Sequence, residues 1–346
     1  MNVLELRNLE VVYRRSDGMP VRAVAGVNLA LAKGEIVGLV GETGCGKSSL
    51  ARAAVGLVPC TAGEVLFEGE QLSPLGWRAR SRREARLQMV FQDPYASLNP
   101  RRRIGDQVAA TLSILGKDPR GRRPAVVGEL LRRAGLAAEL ADRYPHQLSG
   151  GQRQRAAIAR ALAAQPSVIV LDEPLSALDA SMQAQVANLL VELSRRFEVA
   201  MLLISHDLAI VRHVAHRTAV MYLGTIVESS PTGQLWAQPL HPYTRALIDS
   251  IPHAGGGRTL PSALPGEVPD PARPPSGCRF HTRCPQVFER CLGEVPILEP
   301  VTTTRAVACW LREEGGLAPE LNSTPAAERK PESPTQRRHE SGVDSC

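Results

Sequence analysis

Aromatic residues are scarce in this chain, at 4%, and that scarcity removes one common use of its positive charge. The formal net charge is +6, a balance that draws many proteins to nucleic acid or to anionic membrane faces. The basic clusters run from Arg78 to Arg86, Arg101 to Arg103, Arg120 to Arg123 and around Arg337. None is interleaved with aromatics on which bases stack. They read as solvated faces and a basic tail, and no nucleic-acid partner is expected. Long apolar runs are also missing. The longest, such as Val199 to Ile204, have strand length, well short of the ~18 residues of a membrane-spanning helix. The opening residues Met1-Asn2-Val3-Leu4-Glu5-Leu6 set no basic region ahead of an apolar one. A secretory signal is therefore not expected, and the chain is expected to remain in the cytosol. There is no internal repeat.

What is present is enough for a folded core. The chain has 346 residues, 43% hydrophobic and 22% charged, the balance of a globular protein with one large domain and an appendage, or two modest domains. Residues up to about 35 alternate apolar and polar positions, as in Val27-Asn28-Leu29-Ala30-Leu31, and read as antiparallel strands closed by a Lys33-Gly34 turn. Ile36 to Val40 reads as a buried strand and Ser48 to Val58 as the helix after it. From about 97 to 147 helical periodicity is broken by Gly116, Pro119, Gly121 and Pro124, which suits a separate helical subdomain. Helices are expected over Arg153 to Ala164 and Ser181 to Arg196, with buried strands at Val168 to Leu171 and Val199 to Ile204. That alternation implies a parallel sheet flanked by helices. Beyond Pro252 proline and glycine rise, and from about Gly315 the chain is polar and proline-rich, the composition of a disordered tail.

Between the first buried strand and its helix stands Gly41-Glu42-Thr43-Gly44-Cys45-Gly46-Lys47-Ser48, a P-loop. Its glycines let backbone N–H groups turn inward around phosphate oxygens at a helix N-terminus. Lys47 is placed to reach the terminal phosphates and the Ser48 hydroxyl to ligate Mg²⁺. Val168 to Leu171 ends in Asp172-Glu173, a Walker B pattern in which Asp172 holds Mg²⁺ and Glu173 acts as general base on a water. These two motifs imply a bound nucleotide with Mg²⁺.

About a hundred residues after the P-loop comes Leu148-Ser149-Gly150-Gly151-Gln152-Arg153-Gln154-Arg155, which resembles the signature of ATP-binding cassette (ABC) ATPases. The resemblance covers roughly the first 250 residues, implies that the nucleotide is ATP, and carries further motifs in order. Gln92 resembles the Q-loop glutamine that senses Mg²⁺ and the attacking water. Ser176-Ala177-Leu178-Asp179 resembles the D-loop that crosses to an opposite subunit. His206 resembles the switch histidine on the γ-phosphate, and Tyr13 the aromatic that stacks on adenine. Thr43, Cys45 and Ser49 depart slightly from the commoner Ser, Ser and Thr. Phe91-Gln92-Asp93-Pro94-Tyr95-Ala96-Ser97-Leu98-Asn99-Pro100 and His241-Pro242-Tyr243-Thr244-Arg245-Ala246-Leu247 resemble the subgroup that powers oligopeptide and dipeptide importers, with nickel importers as close relatives.

The resemblance implies an α/β fold: a P-loop ABC ATPase core with an antiparallel β subdomain and a helical subdomain, plus a small C-terminal cysteine-rich region. It sets an ATP-binding domain at 1–250, an extension at 251–314 and a disordered tail at 315–346. It implies that Ser149, Gly150, Gly151 and Gln152 complete the ATP site of another subunit, so one cassette per chain requires a second ATPase subunit, identical or related. Two membrane permease subunits and an extracytoplasmic solute-binding protein are the further partners implied, with the chain peripheral on the cytoplasmic face of the inner membrane. A soluble ABC ATPase acting on ribosomes or DNA is the alternative. Such proteins carry two cassettes or a long coiled-coil insert, and neither is present here. A metal-sensing regulator is a third reading.

Four of the seven cysteines, Cys278, Cys284, Cys291 and Cys309, crowd one segment with the spacing C-x5-C-x6-C-x17-C. In a reducing compartment such a group points to metal rather than disulfides. The spacing is neither the C-x2-C of common zinc sites nor a compact ferredoxin pattern. Gly277-Cys278-Arg279-Phe280-His281-Thr282-Arg283-Cys284 again resembles the peptide-importer subgroup, which implies a [4Fe-4S] cluster on the four cysteines, with zinc as the alternative.

Overall fold

The computed structural model describes residues 1–76, 80–114, 123–251 and 266–313. The breaks at Gly116, Pro119 and Gly121, the turn-rich stretch 252–265 and the expected tail from 315 onward lie outside the described residues. Residues Met1–Trp310 form one unit.

Two long strands, β1 (Asn2–Arg14) and β2 (Pro20–Ala32), form an antiparallel pair, as their alternation requires. β3 (Ile36–Val40) comes next and is buried throughout. α1 (Lys47–Ala54) is shorter than the expected helix, because Gly56 turns the chain at φ 68°. β4 (Ala62–Phe67) pairs with β1 and with the short β5 (Glu70–Gln71). Together these make an antiparallel sheet in the order β2-β1-β4-β5.

The central sheet is built from β6 (Leu87–Val90), β7 (Val168–Asp172), β8 (Ala200–Ile204), β9 (Arg217–Tyr222), β10 (Thr225–Pro231), β11 (Glu299–Pro300) and β12 (Ala306–Val307), with β3 among them. Its order is β11-β12-β10-β9-β3-β8-β7-β6. Strands β6, β7, β8, β3 and β9 run parallel. β10 and the two short C-terminal strands add antiparallel pairing that the sequence reading does not contain. The parallel strands are apolar at almost every position because both faces are covered. Val37, Leu39, Val170 and Leu202 face the core shared with the antiparallel sheet and α1. Ile36, Val40, Leu171 and Leu203 face the core shared with the remaining helices. Burial of each such side chain contributes about 1.5–3 kcal/mol.

Short α2 (Pro94–Ser97) leads into α3 (Ile104–Ile114) and α4 (Arg123–Arg133), the helical subdomain. α5 (Gly150–Leu162) begins three residues before the expected start, because Ser149 caps it. α6 (Ala180–Phe197) is capped by Asp179, whose side chain accepts from Met182 N–H, and α7 (Leu208–Val214) by Asp207. α8 (Thr232–Ala237), α9 (Pro242–Asp249) and α10 (Glu289–Gly293) complete the chain order.

Candidate nucleotide site

The carboxyl ends of β3, β8, β7 and β6 all open onto one edge of the sheet, where doubly wound folds bind ligands. β3 runs into the P-loop, β7 ends at Asp172, β8 leads to His206 and β6 to Gln92. Residues scattered between 41 and 206 in the chain are thus gathered by strand adjacency alone.

The loop from Gly41 to Gly46 lies close against its backing. A Cβ on Gly41 would stand 2.1 Å from the Met221 carbonyl, and one on Gly46, at φ 107°, would stand 2.0 Å from the Ala23 carbonyl. Only glycine fits at either place. Lys47 is 5% exposed, and its Nζ donates to the carbonyls of Gly41 at 2.8 Å and Glu42 at 2.9 Å. Among the described residues its polar partners are backbone carbonyls and the Cys45 sulfur, at 3.6 Å, not a carboxylate. A buried ammonium held this way has no carboxylate hydrogen-bonded to it, only the more distant charge of Asp172. Burial pushes the Cys45 thiol up, so it stays protonated.

Ser48 Oγ donates to Asp172 Oδ1 at 2.9 Å. Burial pushes the Asp172 carboxyl up, partly offset by the Ser48 hydrogen bond and by Arg52. One hydroxyl and one carboxylate side by side suit Mg²⁺, which takes few protein ligands and completes its shell with water and phosphate.

Glu173 comes next in the left-handed region, at φ 47°, which is costly for a side chain of this kind and is found at functional turns. Its N–H donates to the Ile204 carbonyl at 3.0 Å, which fixes the turn. Its carboxylate accepts from Gln92 Nε2 at 3.1 Å and lies 3.2 Å from His206 Nδ1. The three line a cleft of about 500 Å³ together with Gly150, Ser176 and Leu178.

The remaining expected site residues are placed less directly. Ser149 and Gln152 satisfy each other: Gln152 N–H donates to Ser149 Oγ at 3.3 Å, and Ser149 N–H to Gln152 Oε1 at 3.0 Å. Arg153 N–H donates to the Ser149 carbonyl at 2.9 Å, so in the first turn of α5 the Gly150 and Gly151 N–H groups remain for a ligand. Gly151 is pressed against Met182 of α6, where a Cβ would meet the methyl at 2.2 Å. Asp179 serves as a helix cap. Ser49 lies in the first turn of α1, and Thr43 and Gly44 at the crest of the loop. Tyr13 is 38% exposed and pairs across the hairpin with Val21, two residues before the Ala23 carbonyl that backs Gly46.

Two residues that sequence reasoning misses also reach the site. Tyr243 Oη accepts the Glu42 N–H at 2.9 Å, and Arg283 makes two hydrogen bonds to the Glu42 carboxylate at 2.8 and 3.0 Å. Glu42 is therefore engaged at its side chain by Arg283, at its N–H by Tyr243 and at its carbonyl by Lys47. Arg283 lies between two of the cysteines, and that position gives no hint of a contact with the P-loop.

The four cysteines are not joined in disulfides. Cys278 and Cys284 pack against the core beside Phe280, and Cys291 is buried. Burial, then the neighbouring Cys291 and Cys284, pushes the Cys278 thiol up to about 11. Among the described residues, however, no three His, Cys, Asp or Glu side chains come together in a group that could hold a metal ion. The expected metal site at Cys278, Cys284, Cys291 and Cys309 is not met by this arrangement. The spacing does place these residues in one segment, but their donors do not converge.

Comparison with known proteins agrees with the geometry. Residues 24–176 match the family described as ABC transporter, and residues 227–291 the family described as oligopeptide/dipeptide transporter, C-terminal region. The dimeric ATP-binding cassette MJ0796, in a post-hydrolysis state bound to ADP and Pi, superimposes with a TM-score of 0.58 at 28% identity, covering 66% of this chain and 98% of that one. The fold and site thus define an ABC-type ATPase. Over 311 residues the chain is 49% identical to the probable peptide ABC transporter ATP-binding protein y4tS of Sinorhizobium fredii, covering 90% of this chain and 88% of the relative. It is 46% identical to the di/tripeptide transport ATP-binding protein DppF of Pseudomonas aeruginosa, covering 90% and 98%, and 44% identical to the oligopeptide transport ATP-binding protein AppF of Bacillus subtilis, covering 89% and 97%. The chain belongs to the ATP-binding subunits of ABC transporters, in the oligopeptide/dipeptide branch. No helix among the described residues is long and apolar enough to cross a membrane.

Proposed function

We propose that this chain hydrolyses ATP to drive peptide import through a membrane permease, as a peripheral subunit on the cytoplasmic face. The observation that carries the hydrolytic part is Glu173, held by Gln92 and His206 beside the Ser48–Asp172 pair. In this reading backbone N–H groups from Gly41 to Ser49 cradle the phosphates, and Lys47 exchanges the Gly41 and Glu42 carbonyls for the terminal phosphates. Ser48 and Asp172, with Gln92 nearby, would hold Mg²⁺, which would supply positive charge to the phosphates. Glu173 takes the proton of the attacking water, His206 contacts the γ-phosphate, and Tyr13 stacks on adenine.

The signature from Ser149 to Gln152, together with Asp179, serves a second cassette. The N-terminus of α5, which begins at Gly150, and the dimeric state of the MJ0796 cassette support that assignment. Two permease subunits and a solute-binding protein complete the assembly, by analogy with the transport proteins the chain matches. The ATP-binding domain is assigned to residues 1–250, the extension to 251–314 and a tail to 315–346. Co-expression with the permease subunits of a peptide importer and reconstitution into liposomes tests the whole reading. Uptake of labelled di- or oligopeptide that requires internal ATP is the expected result. Uptake of nickel but not peptide would favour the alternative importer, and a chain that never associates with a permease would favour the soluble one.

The extension is also proposed to hold an iron–sulfur cluster or zinc on Cys278, Cys284, Cys291 and Cys309. Support comes from the number of thiols and from Cys284 and Cys291 lying near enough to Cys278 to push its thiol up, after burial. As placed, they do not form a metal-holding group, so no step of the ATPase cycle is routed through a metal. Anaerobically purified chain is expected to be brown, with about four iron atoms per chain. Colourless protein with about one zinc would select the alternative, and metal-free protein would end both.

A further inference from the structure

The segment between the first two cysteines of the extension lies behind the phosphate-binding loop and touches it directly. Arg283 is the centre of that contact. Its guanidinium is 3% exposed and makes two parallel hydrogen bonds to the Glu42 carboxylate, the planar geometry in which arginine and carboxylate bind best. It also donates to Tyr222 Oη at 3.4 Å and lies over the Tyr222 and Phe280 rings at 5.9 and 6.0 Å. Arg279, four residues earlier, donates to the Leu223 carbonyl. The next residue, Gly224, donates its N–H to the carbonyl of Cys45 in the P-loop at 2.8 Å.

The other anchor is Tyr243. Its hydroxyl accepts the Glu42 N–H, and its own N–H donates to His241 Nδ1 at 3.0 Å. Complete burial pushes His241 down to about 3, so this ring nitrogen stays free to accept. Glu42 is thereby fixed at its amide by Tyr243 and at its carboxylate by Arg283, while its carbonyl takes Lys47.

We infer that Arg283 and Tyr243 are positioning residues for ATP: the C-terminal extension clamps Glu42, holding the P-loop in its phosphate-binding curve and neutralising a carboxylate beside the triphosphate. The inference rests on the reading of Gly41 to Ser48 as the ATP site. Two physical effects act together. A loop fixed before binding loses less conformational freedom when the nucleotide arrives. An unpaired, mostly buried Glu42 carboxylate would also repel the phosphates. Neither effect touches the reacting atoms, so affinity responds far more than turnover at saturating ATP.

The test is a double-mutant cycle on the full-length chain, read by calorimetric titration with MgATP, with melting temperature as the check on folding. Arg283→Gln is expected to raise Kd about tenfold or more, and Arg283→Lys, which keeps charge but loses the fork, to fall between. In a Glu42→Gln background the same Arg283→Gln change is expected to cost no more than about threefold, because the charge it answered is gone. In the assembled transporter KM for ATP rises while kcat changes little. An unchanged Kd for Arg283→Gln, or an equal loss in both backgrounds, would overturn the clamp. If Arg283→Gln does not fold, Tyr243→Phe decides: it keeps the ring in place and removes the acceptor of the Glu42 N–H. A several-fold rise in Kd is expected, and no rise would overturn the clamp. Lys47→Ala, titrated in parallel, separates this failure from failure of the P-loop reading. If Lys47→Ala abolishes binding while Arg283→Gln leaves it intact, the clamp alone is wrong. If Lys47→Ala binds normally, the ATP site itself is misassigned and the clamp falls with it.

Discussion

Replacing Glu173 by Gln is expected to slow ATP hydrolysis by about 10²–10⁴-fold while MgATP affinity stays close to that of the unmodified chain. The expectation comes from where the carboxylate is held. The backbone at Glu173 is fixed in a left-handed turn at φ 47° by its hydrogen bond to Ile204, so the substituted side chain starts from the same place. Glutamine keeps the size and one carbonyl oxygen, which still accepts from Gln92 or His206. It loses the negative charge and the basicity that would draw a proton from water. Nothing in the P-loop changes: Lys47, Ser48 and the glycine cradle keep their contacts. ATP therefore binds and is not consumed, and a pair of cassettes closed around it has no route to reopen by hydrolysis. Phosphate release under single-turnover conditions checks the first part, and sedimentation with MgATP, showing an accumulated dimer, checks the second. Turnover near that of the unmodified chain would show that another group is the base.

Much of this site is legible in the sequence because its residues sit directly after buried strands with continuous apolar runs. Ile36 to Val40 and Val168 to Leu171 admit little besides a two-sided parallel strand, and the residues at the carboxyl ends of such strands share one sheet edge. The helix starts are less legible. α5 begins at Gly150 because Ser149 and Gln152 form a capping box, a local interaction that overrides the low helix propensity of two glycines. β10 is not legible at all. It contains Glu228, a residue that reads as exposed yet is fully buried, with its carboxylate accepting from the N–H groups of Leu240 and His241. Buried acids satisfied by distant backbone leave no periodic trace. The same is true of Arg283 and Glu42, 241 residues apart: Glu42 reads only as a P-loop residue and Arg283 as one between two cysteines, and only the fold makes them partners. The cysteines show the opposite failure. Their spacing is conspicuous in the sequence, but convergence of donors is a three-dimensional property, and spacing alone does not supply it.

Lys47→Ala is expected to weaken MgATP binding by about ten- to a hundredfold, since each charge-assisted hydrogen bond to phosphate is worth about 1.5–3 kcal/mol. The resting contacts of Lys47 set the sign. Its ammonium is buried, and among the described residues it is held by the carbonyls of Gly41 and Glu42 rather than by a carboxylate. Such a charge is compensated only in part, by the more distant Asp172, until an anion arrives, so binding gains from it. Alanine removes that gain and leaves the two carbonyls without their donor, facing the space into which phosphate must come. The nucleotide-free chain loses little stability, because the deleted charge was itself costly to bury. The melting temperature without nucleotide should therefore move only slightly, while the upward shift produced by MgATP should largely vanish, since ligand stabilisation scales with the logarithm of ligand concentration over Kd. Calorimetric titration and thermal unfolding, each with and without MgATP, separate the two. A chain carrying Lys47→Ala that keeps both its affinity and its nucleotide-dependent shift would show that ATP binds elsewhere than in the loop from Gly41 to Ser48.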